Sequence, residues 1–233
     1  MVPSGTSIAD RVVEVRGRIA AAAARSGRAA SEITLVAVTK YVGLAEVRAL
    51  VDAGCTDLGE SRPQQLWERA DALAELPVRW HFIGHLQRNK VRRTVPLVAL
   101  MHSADSAALV AAVDQAAGEL GRRLPLLLEI NVSGEAAKHG FPPDAVEPLL
   151  EMLPAYRNIE VRGLMCMAAL EGGLCAARRD FAALRVLRDR LARHAPATVS
   201  LRDLSMGMSG DYEVAIEEGA TIVRVGSALF EGA

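Results

Sequence analysis

Lys40 is the residue whose type and place could do the most chemistry. It closes the run ITLVAVTK (33–40), and strand alternation puts its side chain on the same face as Val36 and Val38, at the end of a segment that must be buried. An ammonium there is costly unless it is paired, depressed in pKa or covalently used, and desolvated lysines are the ones that form Schiff bases. The plainer alternative is a lysine that snorkels past the strand end into water.

A second signal lies near the C-terminus, where DLSMGMSGDYEVAIEEG runs into TIVRVGSALF. The serines and glycines of SMGMSGD can offer hydroxyls and closely approachable backbone N–H groups, and Asp211 opens a short helix whose N-terminus favours an anion. Gly226 and Ser227 supply a second small-residue turn, with Arg224 two residues before Gly226 on the same strand face. Either turn alone is ordinary turn chemistry; both together, opposite a strand-one lysine, suggest an anion grip. His81 and His85 lie four apart, on one face of a strand. Without a third ligand of matching placement they read as a core histidine (His81) and a rim residue beside a ligand (His85).

These residues need a frame that brings chain ends together. Eight short apolar runs recur: 33–40, 56–61, 79–85, 97–104, 124–132, 159–167, 199–207 and 221–230. Such near-continuous apolar runs are how strands buried on both faces of a parallel sheet look. Between them, segments such as LAEVRALVDAG and CAARRDFAALRVLRDRLARHA carry three-to-four-residue apolar spacing and predict helices. Strict alternation over eight units predicts an α/β fold, a single (β/α)8 TIM-like barrel with an extra N-terminal helix over Ile8–Ser26. That helix could cap the opposite end of the barrel or join the outer ring. Residues 1–233 are expected to form one domain, with 1–30 as its helical extension. Polar residues collect at the C-terminal ends of the runs, where barrels build their sites, often with phosphate at the loops after strands seven and eight.

Composition narrows the partners. The 27 basic and 28 acidic side chains leave a formal charge of -1 with no long single-sign run, which argues against nucleic acid and anionic membranes. Charged residues from Asp10 to Arg18 break up the N-terminal segment, and no stretch has the length to cross a bilayer. Cys55, Cys166 and Cys175 form no disulfide framework, so a reducing, cytoplasmic setting is expected, and Cys166 reads as a core residue. No strongly apolar exposed face stands out, so a monomer is expected.

The runs LVAVTK, DLGES, WHFIGHLQRNK, EINVSGEAAKHG, VRGLMCMA and LSMGMSGDYEVAIEEGATIVRVGSALFEG resemble, in order and across nearly the whole chain, the pyridoxal phosphate homeostasis proteins. That family is similar in fold to the barrel domain of alanine racemase, and its members hold pyridoxal 5′-phosphate (PLP) on the strand-one lysine. The resemblance implies Lys40 as the Schiff-base lysine. It implies Ser205, Met206, Ser209, Gly226 and Ser227 as the phosphate-binding residues, and Arg224 as the arginine facing the pyridine ring. Where the family usually reads Gly-Glu-Asn-Tyr, this chain reads Gly59-Glu60-Ser61-Arg62, so Ser61 replaces a side-chain amide expected beside the cofactor. His85 is a further expected neighbour. The implied role is non-enzymatic: storing PLP and delivering it to apo forms of PLP-dependent enzymes. The rival is a PLP-dependent racemase or related enzyme. That chemistry needs a second acid/base on the opposite face of the ring, which alanine racemase takes from an additional β domain. A lysine Schiff-base aldolase acting on a sugar phosphate is a third reading.

Overall fold

A computed structural model describes residues 6–135, 137–169, 171–196 and 199–230. The apolar runs become parallel strands: β1 (Thr34–Val38), β2 (Asp57–Glu60), β3 (Arg79–Phe82), β4 (Val98–Ala104), β5 (Leu124–Glu129), β6 (Ile159–Met165), β7 (Asp203–Ser205) and β8 (Ile222–Val225). They follow one another around a closed barrel, sealed where β1 pairs with β8 from Thr34↔Ile222 to Ala37↔Val225. The connecting helices are α2 (Leu44–Asp52), α3 (Pro63–Ala72), α4 (Val91–Thr94), α5 (Ala107–Glu119), α6 (Val146–Met152), α7 (Gly173–Ala192), α8 (Tyr212–Glu217) and α9 (Ser227–Phe230), preceded by α1 (Ile8–Arg25).

Two boundaries differ from the sequence expectation. The last apolar run, predicted as strand over 221–230, leaves the strand state after Val225, and Ser227–Phe230 turn into α9. Ala, Leu and Phe fit either state, so an apolar run alone does not show where one ends. The seventh run, predicted over 199–207, contributes a strand of only 3 residues, while the fourth forms one of 7.

Ser7 starts α1 by accepting the Asp10 N–H at 3.2 Å, with the Asp10 carboxylate bonded back to the Ser7 N–H. Val12, Val15, Ile19 and Ala22 then fall on one buried stripe. That stripe packs against α2, α8 and α9, which puts α1 in the outer ring rather than under the barrel. Arg18 and Arg25 reach Glu213 and Glu217 on α8. These pairs stand in water, which screens them, whereas each buried valine or isoleucine contributes roughly 1.5–3 kcal/mol, so the stripe does most of the docking. Among the described residues no helix is long and apolar enough to cross a membrane.

Inside the barrel, Val36, Leu100, Leu127, Met165 and Ile222 form a layer of their own, separate from the core between strands and helices. Residues of the same parity further along the strands carry this inner face to the C-terminal mouth.

Candidate functional site

The mouth opens into a cavity of about 770 Å³ lined by Lys40, Ser61, His85, Ser209, Arg224, Gly226 and Ser227, seven of the site residues expected from the sequence. A cavity of this size is in the usual range for small-molecule sites. Ser205 and Met206 are not in its wall: both are fully buried beneath it, and the Met206 N–H donates to the Ile222 carbonyl at 3.1 Å.

Lys40 sits in the turn just past β1, half-buried, with Val38 below it on the same wall. The amine is therefore less enclosed than strand alternation alone suggests, and its Nζ lies 4.9 Å from the centre of the Tyr41 ring. The turn itself is clamped. Arg69 on α3 donates to the carbonyls of Thr39 and Val42 on either side of Lys40 and pairs with buried Glu60, which also accepts from the Thr39 hydroxyl. Four close polar contacts in a buried setting fix the backbone from which the lysine projects.

In the wall of the same cavity, where β8 runs beside β1, one hydroxyl ties the two small-residue turns together. Ser209 Oγ accepts the N–H of Gly226 at 3.0 Å and that of Ala228 at 3.4 Å. Gly207 leads into the first turn at φ +91, where an added Cβ would meet the Ala215 Cβ at 2.6 Å, so only glycine suits. Asp211 Oδ1 accepts the Met208 N–H at 2.6 Å, which commits that carboxylate to the turn. Among the described residues the N–H groups of Ser209, Gly210 and Ser227 meet no protein acceptor. N–H groups left without an acceptor, with hydroxyls from the same two turns, are the kind of donors from which anion-binding concavities are built.

Arg224 forms the floor. It is 4 % exposed, and donates from Nη1 to Ser205 Oγ on β7 at 2.6 Å and from Nη2 to the Cys166 carbonyl, just past β6, at 2.9 Å. Burial presses its pKa down from the usual arginine value, opposed by the nearby Cys166, Glu129 and Asp211. Cys166 is buried and its thiol is pushed up to about 12 by burial, in keeping with a core residue.

Sequence reasoning passed over three residues of this site. Glu129, the last residue of β5, lines the cavity, and burial together with the Asp105 charge lifts its carboxyl to about 7. It stands two residues after the inward Leu127, the same parity signal that picks out Lys40. His139, from the loop after β5, stacks on His85 with ring centres 4.1 Å apart and planes 12° off parallel. Asp105 Oδ2 meets His85 Nδ1 at 2.6 Å. Nothing in the linear order marks these last two, because they reach His85 from other loops.

Residues 16–233 match the family model for the alanine racemase N-terminal domain. A pyridoxal phosphate homeostasis protein of Aquifex aeolicus is 39% identical over 221 residues, covering 95% of this chain and 96% of the relative. The chain belongs to the pyridoxal phosphate homeostasis protein family. PipY of Synechococcus elongatus PCC7942 has been solved without PLP (TM-score 0.88, 35% identity, 96% of this chain and 100% of that one). It has also been solved with PLP bound (TM-score 0.85, 34% identity, the same shares of each chain). In this member of the pyridoxal phosphate homeostasis protein family the Ser61 hydroxyl lines the cavity and makes no side-chain hydrogen bond to protein among the described residues.

Proposed function

We propose that this chain binds PLP in the mouth cavity, holds its aldehyde as a Schiff base on Lys40, and stores or delivers it rather than turning over a substrate. One observation carries the reading: the Lys40 amine and both small-residue turns line the same cavity. The free N–H groups of Ser209, Gly210 and Ser227 fit a phosphate. Ser205 and Met206, implied as phosphate contacts by resemblance, support the turn from beneath. Ser61 and His85 border the ring, and a serine hydroxyl in place of the family's asparagine gives a shorter reach to it.

Bound PLP can stabilise a carbanion when its pyridine nitrogen carries a proton. Arg224 presents only donors and gives up no proton at ordinary pH, so it favours an unprotonated ring nitrogen and a poor electron sink. This supports the carrier reading over a racemase. Recipients would be apo forms of PLP-dependent enzymes, and we place the protein in the cytoplasm as a monomeric single domain.

Absorbance of the PLP-loaded protein tests the proposal. A visible Schiff-base band that disappears in Lys40→Ala is expected, and borohydride reduction followed by mass spectrometry should find a pyridoxyl adduct on Lys40. An adduct on another lysine would overturn the assignment. Steady turnover of an L-amino acid to its D-enantiomer by the loaded protein would overturn the carrier role.

A further inference from the structure

We propose that His85, Asp105 and His139 form a binding site for a divalent late first-row transition ion, Zn²⁺ being the probe, on the lip of the barrel. Each residue offers one ligand atom, and the three atoms lie within 4.8 Å of one another. Ligands in a tetrahedral zinc site, with bonds of about 2.1 Å, stand about 3.4 Å apart, so no pair of the three has to close by much more than an ångström. The three come from three different β-to-α loops, which the closed barrel alone brings together.

The charges favour a cation. The Asp105 side chain is only 6% exposed and pairs with His85, and among the described residues no lysine or arginine neutralises it. Lys138, next to His139 in the chain, turns its ammonium away onto Ser133, Glu135 and the Ala168 carbonyl. Glu129 lines the same cavity as His85 and His139. A buried acid whose sole partner is an imidazole is poorly compensated until a cation joins them.

The donor set selects the ion. Two imidazoles and one carboxylate suit zinc, cobalt, nickel or copper better than magnesium or calcium, which prefer oxygen throughout. Three protein ligands leave a position open for water or an oxygen donor. The stacked, nearly parallel His85 and His139 rings do not aim both lone pairs at one point. Binding therefore requires the exposed His139 ring to swing out of the stack, a motion that ring proton resonances report.

The test uses metal-stripped protein titrated with zinc chloride in a calorimeter and with cobalt(II) in a visible spectrophotometer, without PLP. One ion per chain is expected, with cobalt bands of a four- or five-coordinate nitrogen and oxygen site and a shift of the His139 resonances. His139→Ala and Asp105→Asn should each weaken zinc by more than the roughly 100-fold that loss of an outer partner costs. Cys175→Ser, which removes the exposed thiol, should leave affinity unchanged. The proposal is overturned if the wild type binds no zinc, if Cys175→Ser abolishes binding, or if His139→Ala binds as tightly as the wild type. Because His139 is exposed, its variant keeps the fold and decides the matter even if Asp105→Asn does not. None of these outcomes depends on whether PLP binds.

Discussion

Ser205 Oγ stands 2.6 Å from Arg224 Nη1 and 2.8 Å from His102 Nδ1, so one hydroxyl joins the floor of the cavity to a file of polar groups running down the barrel. His102 Nε2 meets His81 Nδ1 at 2.9 Å, and His81 Nε2 meets Asp57 Oδ1 at 2.8 Å. The Asp57 end fixes its direction. Arginine can only donate and the carboxylate can only accept. With both rings neutral, Ser205 donates to His102, His102 to His81, and His81 to Asp57. Burial holds His102 well below the ordinary histidine value, consistent with a neutral ring.

Removing the shared hydroxyl should therefore cost stability at both its neighbours. Ser205→Ala leaves the His102 Nδ1 lone pair and an Arg224 N–H without partners in a closed interior, at about 1–3 kcal/mol for each stranded group. At roughly 2–4 °C per kcal/mol for a chain of this size, thermal denaturation should show a midpoint lowered by at least about 4 °C. An unmoved midpoint would mean that the hydroxyl is not shared as described.

Glu129 should make the native state lose stability as pH rises. Its folded pKa of about 7 lies above the ordinary 4.5, so between these values the native state keeps a proton that the unfolded chain has released. That contribution is absent at low pH and amounts to on the order of 3 kcal/mol of destabilisation above pH 7. Glu129→Gln, neutral throughout, should be more stable than the wild type at pH 8 by this order, with the gain shrinking below about 1 kcal/mol at pH 5. Urea unfolding of both proteins at the two pH values checks it, and a gain independent of pH would refute the assignment.

His102 works with the opposite sign. Its folded pKa lies well below 6.5, so as pH falls through 6.5 the unfolded chain takes up a proton that the buried ring refuses, and stability drops. Below 6.5 the two slopes oppose each other, each near 1.4 kcal/mol per pH unit. Replacing Glu129 should uncover the histidine. The Glu129→Gln protein is expected to lose stability more steeply than the wild type on acidification from pH 6.5 to 5, and the same unfolding series reads this directly.

The strand order, the inward parity and the C-terminal mouth were legible from the apolar runs and the polar residues that end them. Lys40, Ser209, Gly226 and Ser227 all line the predicted face. Three things were not. The reach of β8 was overread because GSALF suits strand and helix alike. Ser205 was assigned outward to a ligand, although its hydroxyl is spent on Arg224 of neighbouring β8 and on His102 of β4, the latter a pairing across non-neighbouring strands that only closure of the barrel creates. Arg69 drew no notice, since an arginine within QQLWERADALAEL reads as a solvated helix face, yet it is 8% exposed and points into the wall.

Gly84 sets how closely the ends of β2 and β3 approach. A Cβ there would lie 2.2 Å from the Ser61 carbonyl oxygen, and the Ser103 hydroxyl already holds the Gly84 carbonyl at 2.5 Å, so neither side has room to yield. Gly84→Ala should destabilise by about 1–3 kcal/mol or more. Because Ser61 and His85 flank the contact, PLP uptake followed by absorbance titration should weaken along with it. Wild-type uptake in a variant of reduced thermal stability would separate the packing role from the site.

Arg69 offers the sharpest separation of positioning from binding. It does not line the cavity, but its guanidinium spans the carbonyls on both sides of Lys40 and neutralises Glu60, whose side chain is fully buried. Arg69→Ala strands that carboxylate, and breaking a buried pair from one side typically costs about 3–5 kcal/mol. Adding Glu60→Gln removes the stranded charge and should recover much of the stability. It does not restore the carbonyl contacts, so the turn carrying Lys40 stays loose in the double variant. The expected pattern is a largely recovered melting temperature with PLP binding still weakened, whereas recovery of both would show that the clamp serves only the fold.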